Sequence, residues 1–425
     1  MINISKAKEI IDKIDIEEKI SKEDALTLLS SFEYKNDINI KDLSYDEKKE
    51  INVLKEYLRV KARDKADKIF GKYIFMRGLI EFTNYCKNDC IYCGIRKSNK
   101  NAQRYRLSKE EILLCADIGY KIGFRTFVLQ GGEDPYYNIN IMSDIVNAVK
   151  TKYNDCALTL SIGEKEEEYY KILKEKGADR FLLRHETADN THYSKLHPNN
   201  MSLENRKECL MTLKKLGYQT GTGIMIGSPY QTLENIADDL VFMQNINPEM
   251  IGMGPFLPHN DTPFADEKKG ELELTLILIS IVRLIFPSAL IPATTALGTL
   301  KEGGRELGIL HGSNVVMPNL SPMNVRKKYL LYNDKIATGT ESAEGVDSLR
   351  KSIDDIGYIL TGSRGDFDIN RGYSDINRKN NFDNCICKNW DYIFTYTQIY
   401  IRIAYIILGA VLDNLNLLKF RYETQ

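Results

Sequence analysis

Between residues 76 and 317 the chain alternates short β-branched or apolar runs with amphipathic stretches of helical period, and this alternation constrains the fold more than any other feature. The runs are 77–83 (RGLIEFT), 125–130 (RTFVLQ), 157–162 (ALTLSI), 180–185 (RFLLRH), 219–226 (QTGTGIMI), 250–256 (MIGMGPF), 290–295 (LIPATT) and 313–317 (SNVVM). Helical stretches fall between them, near 108–122, 141–152, 164–176, 202–216, 233–246, 271–286 and 303–310. The first carries a capping box, Ser108 with Glu111 three residues on, followed by Ile112, Ala116 and Gly119 at helical spacing. Gly123, Gly177 and Gly217 stand where C-terminal caps belong. Such alternation implies parallel strands with right-handed crossovers, and eight strands close a (βα)8 TIM-type barrel, with a doubly wound open sheet as the alternative. In a barrel the active site gathers at the C-terminal strand ends. Polar residues crowd there, at 130–134, at 184–187 and at Thr294 and Thr295.

The flanks read differently. Residues 1–75 are rich in Lys, Glu, Asp and Ile and almost free of glycine, which predicts a helical extension packed outside the barrel (76–378). A last helix is expected over 341–361. From 379 to 425 the composition turns to Asn, Tyr and Ile, which marks an appended C-terminal tail. Its apolar run 403–412 is too short to span a bilayer. The net charge is −1, so the overall balance calls for neither nucleic acid nor a membrane surface, though a local basic patch stays open. The N-terminus lacks the basic start, apolar centre and cleavage site of a secretory signal, and a cytoplasmic location is expected. Eight cysteines in that compartment suit metal ligation or buried thiols better than disulfides. Cys385 and Cys387 read as incidental, since C-x-C supplies only two ligands.

Cys86, Cys90 and Cys93 form a C-x3-C-x2-C directly after the first strand. Three thiolates on one short loop can wrap a cubane [4Fe–4S] cluster and leave one iron without a protein ligand. A structural zinc would want a fourth Cys or His, and the next histidine along the chain is His185. Lys87, Asn88 and Asp89 make the loop polar, against a merely buried-thiol reading.

This motif, with Tyr92 before the last cysteine, resembles the radical SAM superfamily. The resemblance implies that S-adenosylmethionine (SAM) binds the open iron and is cleaved reductively to methionine and a 5′-deoxyadenosyl radical. Gly131, Gly132 and Glu133 resemble the glycine-rich segment that receives the SAM amino group. YCKNDCIYCGIRKSNKNAQRYRLS, VLQGGEDPYY, RFLLRHETA, GIMIGSPYQT, GMGPFLPHNDTPFADEKKG, IPATTALGT and NVVMPNLSP, in that order, resemble the HydE family. These are the radical SAM maturases of [FeFe]-hydrogenase in the biotin-synthase-like branch, and the likeness covers roughly 55 to 375. It implies action on an iron–cysteine synthon bearing CO and cyanide, supplied by HydG. The deoxyadenosyl group adds at the cysteine sulfur, and HydF and an electron donor are further partners.

Several side chains can also be read physically. Arg184 and Glu186 alternate around His185, so both face one side, as an internal ion pair or as groups for a zwitterion. By resemblance Glu186 and Arg206 hold SAM, and Arg184 lies between SAM and the substrate cavity. On sequence alone Arg206 is equally a solvated helix residue. Thr294 and Thr295 offer hydroxyls to an anionic ligand, and the matching threonines of HydE bind a substrate carboxylate. Tyr329 and Tyr332 match tyrosines near that cavity, although an i, i+3 tyrosine pair also suits simple packing. Gln130 stands at a strand tip at the barrel mouth. Some HydE proteins bind a second cluster through three cysteines in the segment that reads KIATGTESAEGVDSL here. That segment has no cysteine, so one cluster is expected. Other functions open to the chain are a methylornithine-synthase-like or biotin-synthase-like reaction, or a non-catalytic iron–sulfur carrier.

Overall fold

The computed structural model describes residues 4–32, 44–336 and 339–368. The tail from 379, with Cys385, Cys387 and the run 403–412, lies outside the described residues. In chain order the strands are β1 (Tyr73–Met76), β2 (Gly78–Thr83), β3 (Thr126–Gly131), β4 (Ala157–Ser161), β5 (Arg180–Leu182) and β6 (Gln219–Thr222). There follow β7 (Met225–Ile226), β8 (Met250–Ile251), β9 (Gly254–Pro255), β10 (Val315–Val316) and β11 (Ile359–Thr361).

Every ladder among them is parallel. β2, β3, β4, β5, β6 and β8 form one sheet in that order. It continues through bridges from Met250 to Leu290 and from Pro292 to Val315, and β10 pairs with β1. A bridge between Asn319 and Leu79 returns it to β2, since β1 and β2 are one stave interrupted at Arg77. The sheet closes on itself as an eight-stave barrel, which decides against the open doubly wound sheet.

The helices between the runs form close to where the sequence puts them. The helix Leu233–Ile246 matches its expected span, and Lys109–Lys121 opens on the Ser108 and Glu111 capping box with Ile112, Ala116 and Gly119 buried. Gly123, Gly177 and Gly217 all take positive φ, the left-handed conformation that ends a helix at least cost.

Three expectations need correction. The seventh run, 290–295, is no regular strand. It pairs only at Leu290 and Pro292, because proline has no N–H to give a ladder, and Thr294 already caps the short helix Thr295–Leu300. The run 180–185 is a regular strand only to Leu182. The helix expected over 341–361 is shorter, Val346–Asp355. Beyond Gly357, at φ +82°, ILT, with β-branched Ile359 and Thr361, becomes β11 and pairs with β1. The segment after β11 then closes the base of the barrel. The carbonyl of Arg364 accepts from Thr126 Oγ1 (2.8 Å) and Arg180 Nη2 (2.8 Å), and Arg180, fully buried, pairs with Asp366 at 2.7 Å.

The N-terminal extension has a specific task. The helix Leu272–Ile285 (LELTLILISIVRLI) is apolar around its whole circumference and buried from Leu274 to Ile285. A helix of that kind must be covered on both sides. The barrel covers one side, and the helices Ile4–Glu17 and Tyr45–Phe70 cover the other with Ile10, Ile14, Leu54 and Leu58. Burying each such side chain stabilises the fold by about 1.5–3 kcal/mol. Among the described residues no helix is long and apolar enough to cross a membrane.

Candidate active site

At the C-terminal end of β2 the chain leaves regular structure at Asn84 and is pinned by polar contacts. Asn84 Nδ2 donates to the carbonyls of Gln103 (2.9 Å) and Lys328 (2.8 Å), while its Oδ1 accepts from Tyr105 N (2.8 Å). The Arg104 guanidinium donates to four carbonyls, those of Asn84, Ile95 (2.8 Å), Arg96 (2.6 Å) and Asn99 (3.1 Å). Between these anchors Cys93 N donates to Cys90 O (3.3 Å) and Lys97 N to Asn88 O (2.8 Å), which folds the cysteine loop back on itself.

The three thiols share one electrostatic neighbourhood. Burial pushes each of them up, Cys93 to about 12. Negative charge on Cys93 and Cys86 further raises Cys90, and charge on Cys86 raises Cys93. Among the described residues no three His, Cys, Asp or Glu side chains converge tightly enough for a single metal ion. A cubane differs in need, since it binds each thiolate at a separate corner. The donor set fits such a cluster: three thiols from one loop, with its backbone already satisfied by Arg104 and Asn84.

The glycine-rich segment lies flush against this loop. A Cβ on Gly132 would stand 2.2 Å from the Tyr85 carbonyl oxygen and 2.8 Å from Cys86 Cβ, so only glycine fits. Gly131 ends β3 in register with Thr83. Glu133 accepts from Lys87 N through its backbone carbonyl (2.8 Å). Its carboxylate Oε2 is buried without a hydrogen bond, with the Lys87 ammonium 3.4 Å away. That unsatisfied acceptor suits a donor such as an amino group. Asp134 is used internally. Burial works against its charge, but hydrogen bonds from Arg106 (2.7 and 2.9 Å) and Thr83 (2.8 Å) outweigh this and hold the carboxyl below its usual range.

Beyond β5 the chain runs on to Glu186, whose N donates to Gly223 O (3.1 Å) and whose φ is +67°. A non-glycine residue in that region is uncommon and costs of order 1 kcal/mol or more. Gly223 makes the approach possible, since a Cβ there would lie 1.9 Å from Gly252 O. Arg184 and Glu186 share a side as alternation requires and pair with each other, Nη2 to Oε2 at 2.6 Å and Nε to Oε1 at 3.0 Å. His185 points the other way into the core, 2.8 Å from Thr222 Oγ1. Arg206 is no solvated helix residue. It is buried, donating to Tyr193 Oη (3.2 Å) and Arg184 O (3.0 Å), and its Nη2 lies 2.9 Å from Glu164 Oε1. Burial opposes its charge, but Tyr193, Glu164, Tyr92 and Glu133 outweigh that and keep it protonated. Tyr92 reaches toward it through His197, which lies 3.3 Å from the Tyr92 hydroxyl and stacks on Tyr193 at 4.0 Å. His197 and Tyr193 come from a segment with the helix Asn190–Leu196, which sequence reading left unassigned.

Across the barrel mouth, Thr294 Oγ1 is buried without a hydrogen bond. Gly254 in β9 leaves it room, because a Cβ there would come to 3.0 Å from that oxygen. The neighbouring Thr295 is already engaged, donating to Glu341 Oε2 at 2.7 Å. Tyr329 is buried, 3.5 Å from Gln130 Nε2, and the half-buried Tyr332 lies among Thr299, Glu341 and Glu81, with the positive charge of Arg184 acting on it. Sequence reading missed the buried ion pair beside them. Glu81, wholly buried, accepts from Lys335 Nζ and from Asn319 Nδ2 (2.8 Å). A signal for it existed: Glu81 is the one charge in GLIEFT, a strand buried along its whole length.

Comparison with known proteins adds identity to this geometry. The profile of the radical SAM superfamily matches residues 80–243. The chain is 46% identical over 316 residues to the [FeFe] hydrogenase maturase subunit HydE of Thermotoga maritima, covering 72% of this chain and 90% of that protein. The chain belongs to the HydE family. It is a radical SAM enzyme of hydrogenase maturation, and the carrier alternative falls away. The crystal structure of methylornithine synthase (PylB) superposes with a TM-score of 0.66 at 27% identity, over 83% of this chain and 97% of that one. The maturase HydG superposes with a TM-score of 0.68 at 19% identity, over 88% and 80%, a likeness of fold.

Proposed function

We propose that the chain cleaves SAM and acts on a cysteine-bound iron synthon carrying CO and cyanide, adding at the cysteine sulfur during assembly of the hydrogenase active centre. The observation that carries this reading is the convergence of the cysteine loop, the flush Gly132 and the inward Arg206 at the C-terminal mouth of the barrel. Cys86, Cys90 and Cys93 would hold a [4Fe–4S] cluster, and a bound cluster with SAM supplies a one-electron cleavage that yields a carbon radical. The remaining work belongs to the protein. Glu133, with its free buried oxygen, accepts from the amino group of SAM, and Gly131 and Gly132 let the backbone come close enough. Arg206 and Glu186 face the carboxylate and ammonium of the methionyl part, and Tyr92 walls the adenosyl side. Arg184 stands between that site and the substrate cavity. The unsatisfied Thr294 hydroxyl, with Thr295 fixed by Glu341, receives a substrate carboxylate, and Tyr329 and Tyr332 close the cavity against water.

HydG as supplier, HydF as a further partner and a cytoplasmic setting belong to the same reading, with 76–378 as the catalytic barrel, 1–75 its covering extension and 379–425 a separate tail. The test is anaerobic. Reconstituted protein with SAM and dithionite should yield 5′-deoxyadenosine, and Cys90→Ala should lose both the product and most of the iron. Wild type should then consume the HydG-derived synthon. Cleavage of SAM without consumption of the synthon, but with formation of methylornithine, would favour the methylornithine-synthase-like alternative instead.

A further inference from the structure

The cysteine loop carries far more positive charge than a ligand site needs. Residues 84–106 contain six cations, Lys87, Arg96, Lys97, Lys100, Arg104 and Arg106, against a single carboxylate, Asp89, in a chain whose net charge is −1. The arginines are engaged in the loop's own contacts. Arg104 satisfies carbonyls, Arg96 pairs with Asp89 at 2.7 Å, and Arg106 pairs with the buried Asp134 at 2.7 Å. The lysines are not. Lys97 and Lys100 are exposed, and their ammonium groups have no ion-pair partner among the described residues. Lys87 is about half exposed and touches only Glu133, at 3.4 Å. The bond from Lys97 N to Asn88 O brings the Lys97 backbone against the residue that follows Lys87, within the stretch between Cys86 and Cys90. The bonds from Asn84 Nδ2 to Gln103 O and Lys328 O bring the exposed Lys327 and its neighbour Lys328 to the same rim. Asp261, near the same loop, is held by Asn101 Nδ2 at 2.6 Å.

A collar of exposed lysines, of which only Lys87 has a carboxylate within ion-pair distance, has a self-repulsion cost and little internal use. It steers a partner of opposite sign, and patches of this kind raise association rates by 10-fold or more. We propose that Lys87, Lys97 and Lys100 form the docking surface for a small acidic one-electron carrier protein, such as a low-potential flavodoxin or ferredoxin. This rests on the reading that Cys86, Cys90 and Cys93 hold a cluster. The docked, reduced carrier would lose one electron, taken up at the cluster, and leave oxidised by one electron. The carrier's acidic rim meets the lysines, while the paired arginines keep the loop rigid beneath it.

The decisive variant is Lys97→Glu with Lys100→Glu, neither residue being in the SAM or substrate machinery. Binding of an acidic flavodoxin to the reconstituted holoenzyme would be measured at low and high salt. SAM cleavage would be measured twice, with reduced flavodoxin and with dithionite. The expected result is a Kd raised about 10-fold or more and flavodoxin-driven cleavage lowered to match, with dithionite-driven cleavage and iron content unchanged. Binding by the wild type should also weaken as salt rises. Unchanged Kd and flavodoxin-driven rate in the variant would overturn the proposal. If iron loading falls, Lys97→Gln with Lys100→Gln answers the same question with less perturbation. Absence of dithionite-driven cleavage in the wild type would instead refute the cluster reading, and the binding measurement alone would then decide the docking surface.

Discussion

Removing Lys335 tests how the barrel mouth holds its charges. Glu81 is wholly buried, and Lys335 is nearly so, with a side chain 8% exposed. The carboxylate has two donors, Lys335 and Asn319, and the ammonium also lies 3.2 Å from Tyr329 O and over the Tyr329 ring at 4.8 Å. Lys335→Met keeps the stem and deletes the charge, leaving Glu81 with a single neutral donor. Breaking a buried pair on one side costs about 3–5 kcal/mol, because the remaining charge is stranded. At about 2.1 cal/mol/K per residue, a chain of 425 residues has an unfolding entropy near 0.9 kcal/mol/K, so 4 kcal/mol lowers Tm by about 4 °C. The double variant Glu81→Gln with Lys335→Met should recover much of that loss, since no lone charge remains and the amide can still accept from Asn319. Thermal and urea unfolding of the cluster-free protein would measure both, followed by the near-ultraviolet signal of the buried tyrosines. A Lys335→Met loss below about 1 kcal/mol, or a double variant less stable than the single, would refute the idea that the pair is held by mutual need.

Other consequences can be checked separately. Arg206→Met removes the guanidinium from Tyr193, Arg184 O and Glu164, and SAM affinity measured by equilibrium dialysis should fall at least 10-fold, since a charge-assisted contact contributes about 1.5–3 kcal/mol. Ser108→Ala breaks the capping box of Lys109–Lys121 and should cost about 1 kcal/mol in urea unfolding, with SAM cleavage unchanged. Burial of Asp117 opposes its charge, but Tyr153, Lys121 and Lys152 outweigh this and bring its pKa to about 2. A folded pKa below the unfolded value of about 3.9 means stabilisation present above pH 4 and lost as pH falls toward 2. Asp117→Asn should therefore flatten part of the acid limb of a stability–pH curve and lower stability at pH 7.

The sequence by itself determined the strand–helix alternation, because most staves and helices are written in a local period: β-branched runs of strand length, the Ser108 and Glu111 cap, and glycines at left-handed helix ends; closure into a barrel instead of an open sheet was decided by the pairing of β10 with β1. It also put Cys86, Cys90 and Cys93 together, because eight residues of loop cannot separate them far. Where the signal was local but mixed, it misled. Pro292 ended the seventh run early, and Gly357 divided a supposed helix from a strand that needed β1 to exist. Tertiary structure alone decided the rest. Arg206 faces inward because Tyr193, 13 residues earlier on the helix Asn190–Leu196, meets it in space together with Glu164 and the Arg184 carbonyl. Glu81 and Lys335 are 254 residues apart, and no period links them. Strand and helix propensities act between neighbours in the chain, whereas charge pairing, close backbone approach at Gly132 and the unsatisfied oxygens of Glu133 and Thr294 depend on which distant staves become adjacent when the barrel closes.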